Sequence, residues 1–390
     1  MSATPWWNLS EVADINPPLT SSPRKDDTVS FIPMAAVSEA GMITKSVDRR
    51  YLDVSKGYTA FERGDILVAK ITPCFENGKI ARADIERPIG VGSTEFHVVR
   101  PRSGVLEPAF LLHFLRQDWV RLEGERKMTG SAGQRRVPAH FLASLRIPFT
   151  RASDQRRIAA ILDQADALRA KRRAAMSLLD AVAQSVFGQM FGPSTARDAL
   201  DDCAQIASGV ALGRRLRGPL ATVPYVRVAN VQAGFLDLSE VKTVDVLPHE
   251  ARQLRLEKGD VLLTEGGDFD KLGRAALWTG QIEGCIHQNH VFRVRADRTK
   301  LLPRFFHEYL QTSEARGYFL KCAKRTSNLA TINMTQLRAL PVPIPCVARQ
   351  AVFVERAEAI AGLRVRLVAS LSQLDALFAS LQHRAFRGGL

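Results

Sequence analysis

At 390 residues, 46% hydrophobic and 24% charged, the chain is long enough for two or three buried cores, and its composition excludes a disordered protein. Its 54 basic and 40 acidic residues leave a net charge of +14, spread as 20 against 17 over residues 1–150, 7 against 4 over 151–192, 21 against 16 over 193–345 and 6 against 3 over 346–390; such spread-out positive charge suits contact with a polyanion at several places. No apolar run approaches the ~20 residues that span a bilayer, and Met1–Ser10 carries neither a basic cluster nor a long apolar core, so a cytoplasmic protein without a secretory signal is expected.

In chain order, β-prone runs punctuated by Gly and Pro come first, at Thr28–Pro33, Asp65–Ile71 and Glu95–Arg100. A helical stretch over Pro108–Trp119 follows, with Pro in the first turn, where its missing N–H costs nothing. A long proline-free helix is expected over 153–190, with Ser153-Asp154 as its N-cap. The order then repeats, with β-prone runs at Val223–Val228, Asp260–Thr264 and His290–Arg295, a helix at Pro303–Thr312 and a second long helix over 348–385. In the first long helix Ile158, Ile161, Ala165, Leu168, Ala175, Leu179, Val182 and Val186 recur at alternating three- and four-residue spacing, with Arg172 as an exception. Phe353, Ile360, Leu363, Leu367, Leu374, Leu377 and Leu381 do so in the second, interrupted by Arg356, Ser370 and Arg384. Such a seam predicts a coiled-coil pair, each helix roughly 55–60 Å long at ~1.5 Å per residue.

This order reflects a tandem duplication. A constant shift of 195 residues aligns Arg63-Gly64-Asp65-Ile66-Leu67 with Lys258-Gly259-Asp260-Val261-Leu262, Gly78-Lys79 with Gly273-Arg274, and Pro108 with Pro303. It also aligns Gln155 with Gln350, Leu179-Asp180-Ala181 with Leu374-Asp375-Ala376, and Phe191 with Phe386. The expected organisation is a first head over 1–150, a spacer helix over 151–192, a second head over 193–345 and a second spacer over 346–390. The first helix leaves one head and arrives at the other, so a returning second helix pairs with it antiparallel. The fold class is α+β: two similar heads, two long helices and a pseudo-twofold axis.

The text of the first head carries a resemblance. Phe31-Ile32-Pro33-Met34 precedes the run from Gly64-Asp65-Ile66-Leu67 through Ile71-Thr72-Pro73-Cys74 to Gly78-Lys79, and Gly92-Ser93-Thr94-Glu95-Phe96 follows. Each repeat closes on an apolar-Pro segment, Leu145-Arg146-Ile147-Pro148 or Leu340-Pro341-Val342-Pro343, that runs into a Gln-bearing helix. This resembles the target-recognition domains and helical spacers of the specificity subunits of type I restriction–modification systems. Arg349-Gln350 departs from the acidic-Gln pattern that Asp154-Gln155 keeps. The resemblance implies that each head reads one half of a split double-stranded DNA target in the major groove. It further implies that the helices set the spacing and dock two methyltransferase subunits, that restriction subunits can join, and that catalysis belongs to those partners with no cofactor on this chain.

Base edges are read by side chains with paired donors or acceptors, and phosphates by positive charge or small donors. Positions shared by the heads are expected to be scaffold, so Gly64-Asp65 and Gly259-Asp260 are read as turn chemistry, and positions that differ are better readers. The expected DNA contacts in the first head are Lys70, Thr72, Lys79, Ser93, Thr94, Lys127, Ser131, Gln134, Arg135 and Arg136. In the second they are Arg214, Arg215, Lys271, Arg274, Gln288, Asn289, Lys324, Arg325 and Ser327. The expected partner contacts on the helices are Ile158, Ile161, Leu168, Leu179, Val182, Ile360, Leu363, Leu367, Leu374 and Leu377.

Other motifs carry less. Asn16-Pro17-Pro18-Leu19 resembles an amino-methyltransferase motif but has Leu where the base-stacking aromatic belongs, and a proline turn suffices. The histidines show no paired ligand spacing, no GxxxxGK[ST] loop occurs, and Cys74, Cys203, Cys285, Cys322 and Cys346 form no CxxC pair, so neither a metal site nor a disulfide framework is expected. Two other readings stay open: a nuclease with an unrecognised metal site, and a scaffold whose heads bind proteins rather than DNA.

Overall fold

The computed structural model describes residues 5–131, 133–148, 150–192, 194–267, 272–325 and 330–387. The chain divides into two compact units, residues 1–173 with 369–390, and residues 174–368. Each unit therefore holds one head and parts of both long helices.

In the first unit Ala13–Ile15, Phe96–Pro101, Ile66–Ala69 and Ile80–Arg82 form an antiparallel sheet in that spatial order. A second sheet orders Val47–Arg50, Thr28–Ile32, Ile89–Gly92 and Thr59–Glu62, with its middle pair parallel. The strand Ile66–Ala69 is buried on both faces, because Ile66 and Val68 enter the core beneath the helices while Leu67 enters the core between the two sheets. The expected strands are thus present. The Pro108–Trp119 stretch, however, is two helices, Pro108–Leu115 and Asp118–Arg126. The break falls at Gln117, which is extended and N-caps the second helix while its amide donates to the Phe114 carbonyl.

The second unit repeats the plan. Ala204–Ala207, Val291–Ala296, Val261–Thr264 and Ala275–Leu277 form its antiparallel sheet, and Lys242–Val246, Ala221–Val226 and Ile286–His287 form a second. Both heads close with a short strand pair, Trp6–Asn8 with Arg146–Pro148 and Arg197–Ala199 with Pro341–Pro343.

Several duplicated residues make duplicated bonds. Gly64 and Gly259 adopt φ of 93° and 104°, a turn conformation that a Cβ opposes. The buried Asp65 beside the first accepts from the Glu62 amide and from two Arg100 nitrogens at 2.8 Å each. Asp260 does the same with Glu257 and Arg295, at 2.7–2.8 Å. Gln155, 1% exposed, accepts from Glu107 N–H at 2.8 Å and donates to the carbonyls of Val105 and Thr150. Gln350, fully buried, accepts from Leu302 N–H at 2.8 Å and donates to those of Lys300 and Pro345. These amides join each long helix to the head before it.

The long helices span Ala152–Met190 and Val347–Ala385. Ser153-Asp154 is not the N-cap of the first. Arg151 offers the first carbonyl, to the amides of Asp154 and Gln155, and Asp154 sits in the first turn, where its carboxylate meets the positive end of the helix dipole. In the first unit Arg169 and Arg173 bond Asp375, and Arg169 lies over the Phe378 ring. In the second, Arg364 bonds Asp180, and Arg349 donates to the Met190 carbonyl. Both sets run antiparallel, and the Arg169–Asp375 and Arg364–Asp180 pairs are each other's images under the 195-residue shift.

Each helix end is swallowed by a head. Phe386 packs on Phe110 and Phe114 in the first unit. Phe191 packs on Phe305 and Phe353 in the second, with Phe187 completing the cluster. The seam register differs from the expected one: Leu168, Val182, Leu363 and Leu377 are 44–51% exposed, while Ala159, Leu162 and Ala357 are buried. A straight helix drifts about 20° per heptad from a 3.5-residue repeat, and near the heads these helices bury the face that meets the head core.

Candidate nucleic-acid interface

One end of each four-stranded sheet gathers loops from separate parts of the head. In the first, the strand Ile66–Ala69 runs out into Lys70, whose N–H donates to the Glu95 carbonyl at 2.9 Å and whose carbonyl accepts from Val137 at 2.8 Å. The Thr72 N–H donates to the Arg135 carbonyl. Lys70, Thr72, Ser93, Thr94, Arg135 and Arg136 therefore meet at this tip, with Ser131 and Gln134 exposed on the adjoining loop. Lys79 returns beside Ala69, and its ammonium reaches the Met34 carbonyl at 3.4 Å. Lys127 caps the helix Asp118–Arg126 and is exposed.

Several of these side chains already have partners. Arg136 makes a two-pronged pair with Glu95, at 2.7 and 2.9 Å, and holds that carboxyl below the usual range. Arg135 stands 3.6 Å from Glu76, and the Thr72 hydroxyl donates to Glu76 at 2.7 Å. Among the described residues no hydrogen bond or ion pair holds the Lys70 ammonium.

The second head repeats the backbone of this tip. The Glu265 N–H donates to the His290 carbonyl at 3.0 Å, and the Glu265 carbonyl accepts from Ile332 at 2.8 Å, the same bonds that Lys70 makes to Glu95 and Val137. Gly266–Gly267 and Lys324–Arg325 both pair with Ala330–Thr331 here. Gln288 and Asn289 lie just before the strand Val291–Ala296, with their amides bonded to Val226 and Val210. Arg274 follows the frame of Lys79 and bonds Gln232 at 3.0 Å. Glu250 grips the Arg214 guanidinium at 2.7 and 3.2 Å, and Arg215 beside it is exposed. Lys271 and Ser327 lie outside the described residues.

Glu76, Glu95, Glu265 and His290 are absent from the expected contacts. Glu265 and His290 were findable, because they stand at the shifted positions of Lys70 and Glu95, but a search for positive charge passes over them.

The other polar groups singled out in the sequence are structural. Asn16, at φ 52°, accepts from Val98 N–H and bonds His97, whose other ring nitrogen meets the Val137 carbonyl, and burial lowers the His97 pKa. Burial also pushes the thiols of Cys203 and Cys285 up to about 11 and about 12. Among the described residues no group of three or more His, Cys, Asp or Glu could hold a metal ion, and no helix is long and apolar enough to cross a membrane.

A duplicated α+β head with a sheet-end tip of variable side chains, tied to antiparallel helices, is the class that fold and site define. The chain matches the family described as the type I restriction modification DNA specificity domain over residues 7–175. It is 43% identical over 155 residues to the EcoAI specificity subunit of Escherichia coli and 41% identical over 156 residues to the EcoEI specificity subunit of the same organism. Each match takes in 39% of this chain but only 26% of the relative. A longer match, 24% identical over 314 residues, covers 73% of the chain and 66% of the StySPI specificity subunit of Salmonella potsdam. Among solved structures, a type I system chain reported for complex assembly and conformational transition matches with a TM-score of 0.60 at 18% identity, covering 100% of this chain and 99% of that one. The S subunit from M. genitalium matches with 0.54 at 15%, covering 99% and 97%.

Proposed function

We propose that this chain is the non-catalytic sequence reader of a type I restriction–modification enzyme, each head recognising one half of a split DNA target. The observation that carries the reading is the duplicated tip, where one backbone frame bears different side chains in the two heads. A frame held by the same backbone bonds suits a common docking geometry, and different side chains on it suit different bases. The surplus positive charge supplies the attraction to phosphate that recognition requires.

The helices are read as spacer and docking surface for two methyltransferase subunits. Leu168 and Leu377, each 51% exposed, flank the Arg169–Asp375 pair; Val182 and Leu363, each 44% exposed, flank the Asp180–Arg364 pair. One such apolar pair per unit suits two copies of one partner. Ile158 is in the core of the first unit and offers no surface, whereas Ile161, Leu179, Ile360, Leu367 and Leu374 are half-buried along the helices.

The test is co-expression with the methyltransferase subunit of the same system and sequencing of methylated adenines in host DNA. A split motif is expected, and inserting four residues, about 6 Å of helix, after Arg173 and after Val368 is expected to change its gap alone. A stable complex with active methyltransferase and no motif would favour a protein-binding scaffold.

A further inference from the structure

We infer that Lys70 and Glu265 are paired specificity determinants that select opposite base edges: Lys70 the acceptor edge of guanine, Glu265 an exocyclic amino group. The inference rests on the reading of the heads as DNA readers and names what each tip would accept.

The two residues occupy one position of the duplicated frame. Each spends its backbone N–H and carbonyl on the same neighbours, at 2.9 and 2.8 Å for Lys70 and 3.0 and 2.8 Å for Glu265. What differs is the side-chain charge around them. In the first head Glu95 is matched by Arg136, so Lys70 leaves the trio with a surplus positive charge. In the second, the shift replaces Lys70 with Glu265, Glu95 with His290 and Arg136 with Thr331. The trio then carries a carboxylate whose companion is an imidazole, His290 Nδ1 standing 2.5 Å from Glu265 Oε2. Both stay accessible, with side chains 57% exposed for His290 and 33% for Glu265.

Near a polyanion an exposed carboxylate weakens binding at every sequence alike. A hydrogen bond from a base offsets that loss, and in the major groove only the amino groups of adenine and cytosine donate. Glu265 is therefore suited to choosing a base and not to adding affinity. The Lys70 ammonium, three donors with no acceptor, fits O6 and N7 of guanine.

The experiment uses the complex with its methyltransferase subunits. The wild-type motif is established by methylated-base mapping, and binding competition then compares duplexes altered at each motif base. Glu265→Met, which keeps an unbranched side chain but leaves no oxygen to accept from an amino group, is expected to reduce discrimination about tenfold at one amino-bearing base of one half-site, with the other half unchanged. Lys70→Met is expected to do the same at one guanine of the opposite half. Thermal unfolding of each variant complex checks that both units remain folded. A uniform change at every duplex, or unchanged discrimination at all positions, overturns the inference while leaving the split-target reading in place. A wild-type complex without a split motif overturns both.

Discussion

Replacing Gln155 with methionine keeps an unbranched side chain of similar volume but removes a three-bond junction. The part-buried Glu107 N–H loses its acceptor, and the Val105 and Thr150 carbonyls each lose a donor. An unsatisfied buried donor costs about 1–3 kcal/mol, and each neutral hydrogen bond contributes about 1 kcal/mol net. The sum is roughly 3 kcal/mol, a lowering of about 6–12 °C in the melting temperature of a unit of this size. Gln350→Met breaks the same three bonds in the second unit and is expected to cost the same. The two sites share no hydrogen-bond partner, so the double variant should be additive within about 0.5 kcal/mol. Urea unfolding of both single variants and the double variant measures this. A loss below about 1 kcal/mol in either single variant would refute the claim that these amides fasten helix to head.

Three further outcomes are expected. Burial holds the His287 pKa at about 4 against 6.5 for a free imidazole, so the unfolded chain takes up its proton first as pH falls. The stability from the neutral ring is whole above pH 6.5 and is lost as pH drops towards 4, by about 3 kcal/mol at ~1.4 kcal/mol per pH unit; urea unfolding at pH 7 and 4.5 should show this in the wild type and much less in His287→Gln, and equal losses in both would contradict it. Arg169→Ala, which removes a mostly buried guanidinium from Asp166, Asp375 and the Phe378 ring, should cost about 1–2 kcal/mol, whereas Asp180→Ala at the exposed equivalent should cost under about 0.5 kcal/mol. The double variant Leu168→Glu with Leu377→Glu should leave stability within about 0.5 kcal/mol, because both side chains are exposed; it should weaken methyltransferase binding at least tenfold by titration calorimetry, and unchanged binding would move the docking surface elsewhere.

The duplication and both long helices were legible because period and offset survive in single residues, Gln155 with Gln350 and Phe191 with Phe386 among them. The seam was less so. Leu168 and Val182 share the heptad with Ile158, but the helix turns against the head before it turns against its partner, and periodicity does not say which neighbour a face meets. The tip was half legible. Differences at shifted positions pointed to Lys70 and the Gln288–Asn289 turn, but the local sequence did not show that Glu250 holds the Arg214 guanidinium. Partners of charged residues are set by strand register, which joins Glu95 to Arg136 across 41 residues and leaves no mark in the local sequence.

The central claim, that each head independently reads half of the target, is tested most directly by exchanging one head. The segment from Trp6 to Pro148 is replaced by its counterpart from a relative of different specificity, in a complex with the methyltransferase, and methylated adenines are sequenced. The account predicts a new sequence in one half of the motif, with the other half and the gap retained. Change in both halves, or in neither, would contradict it.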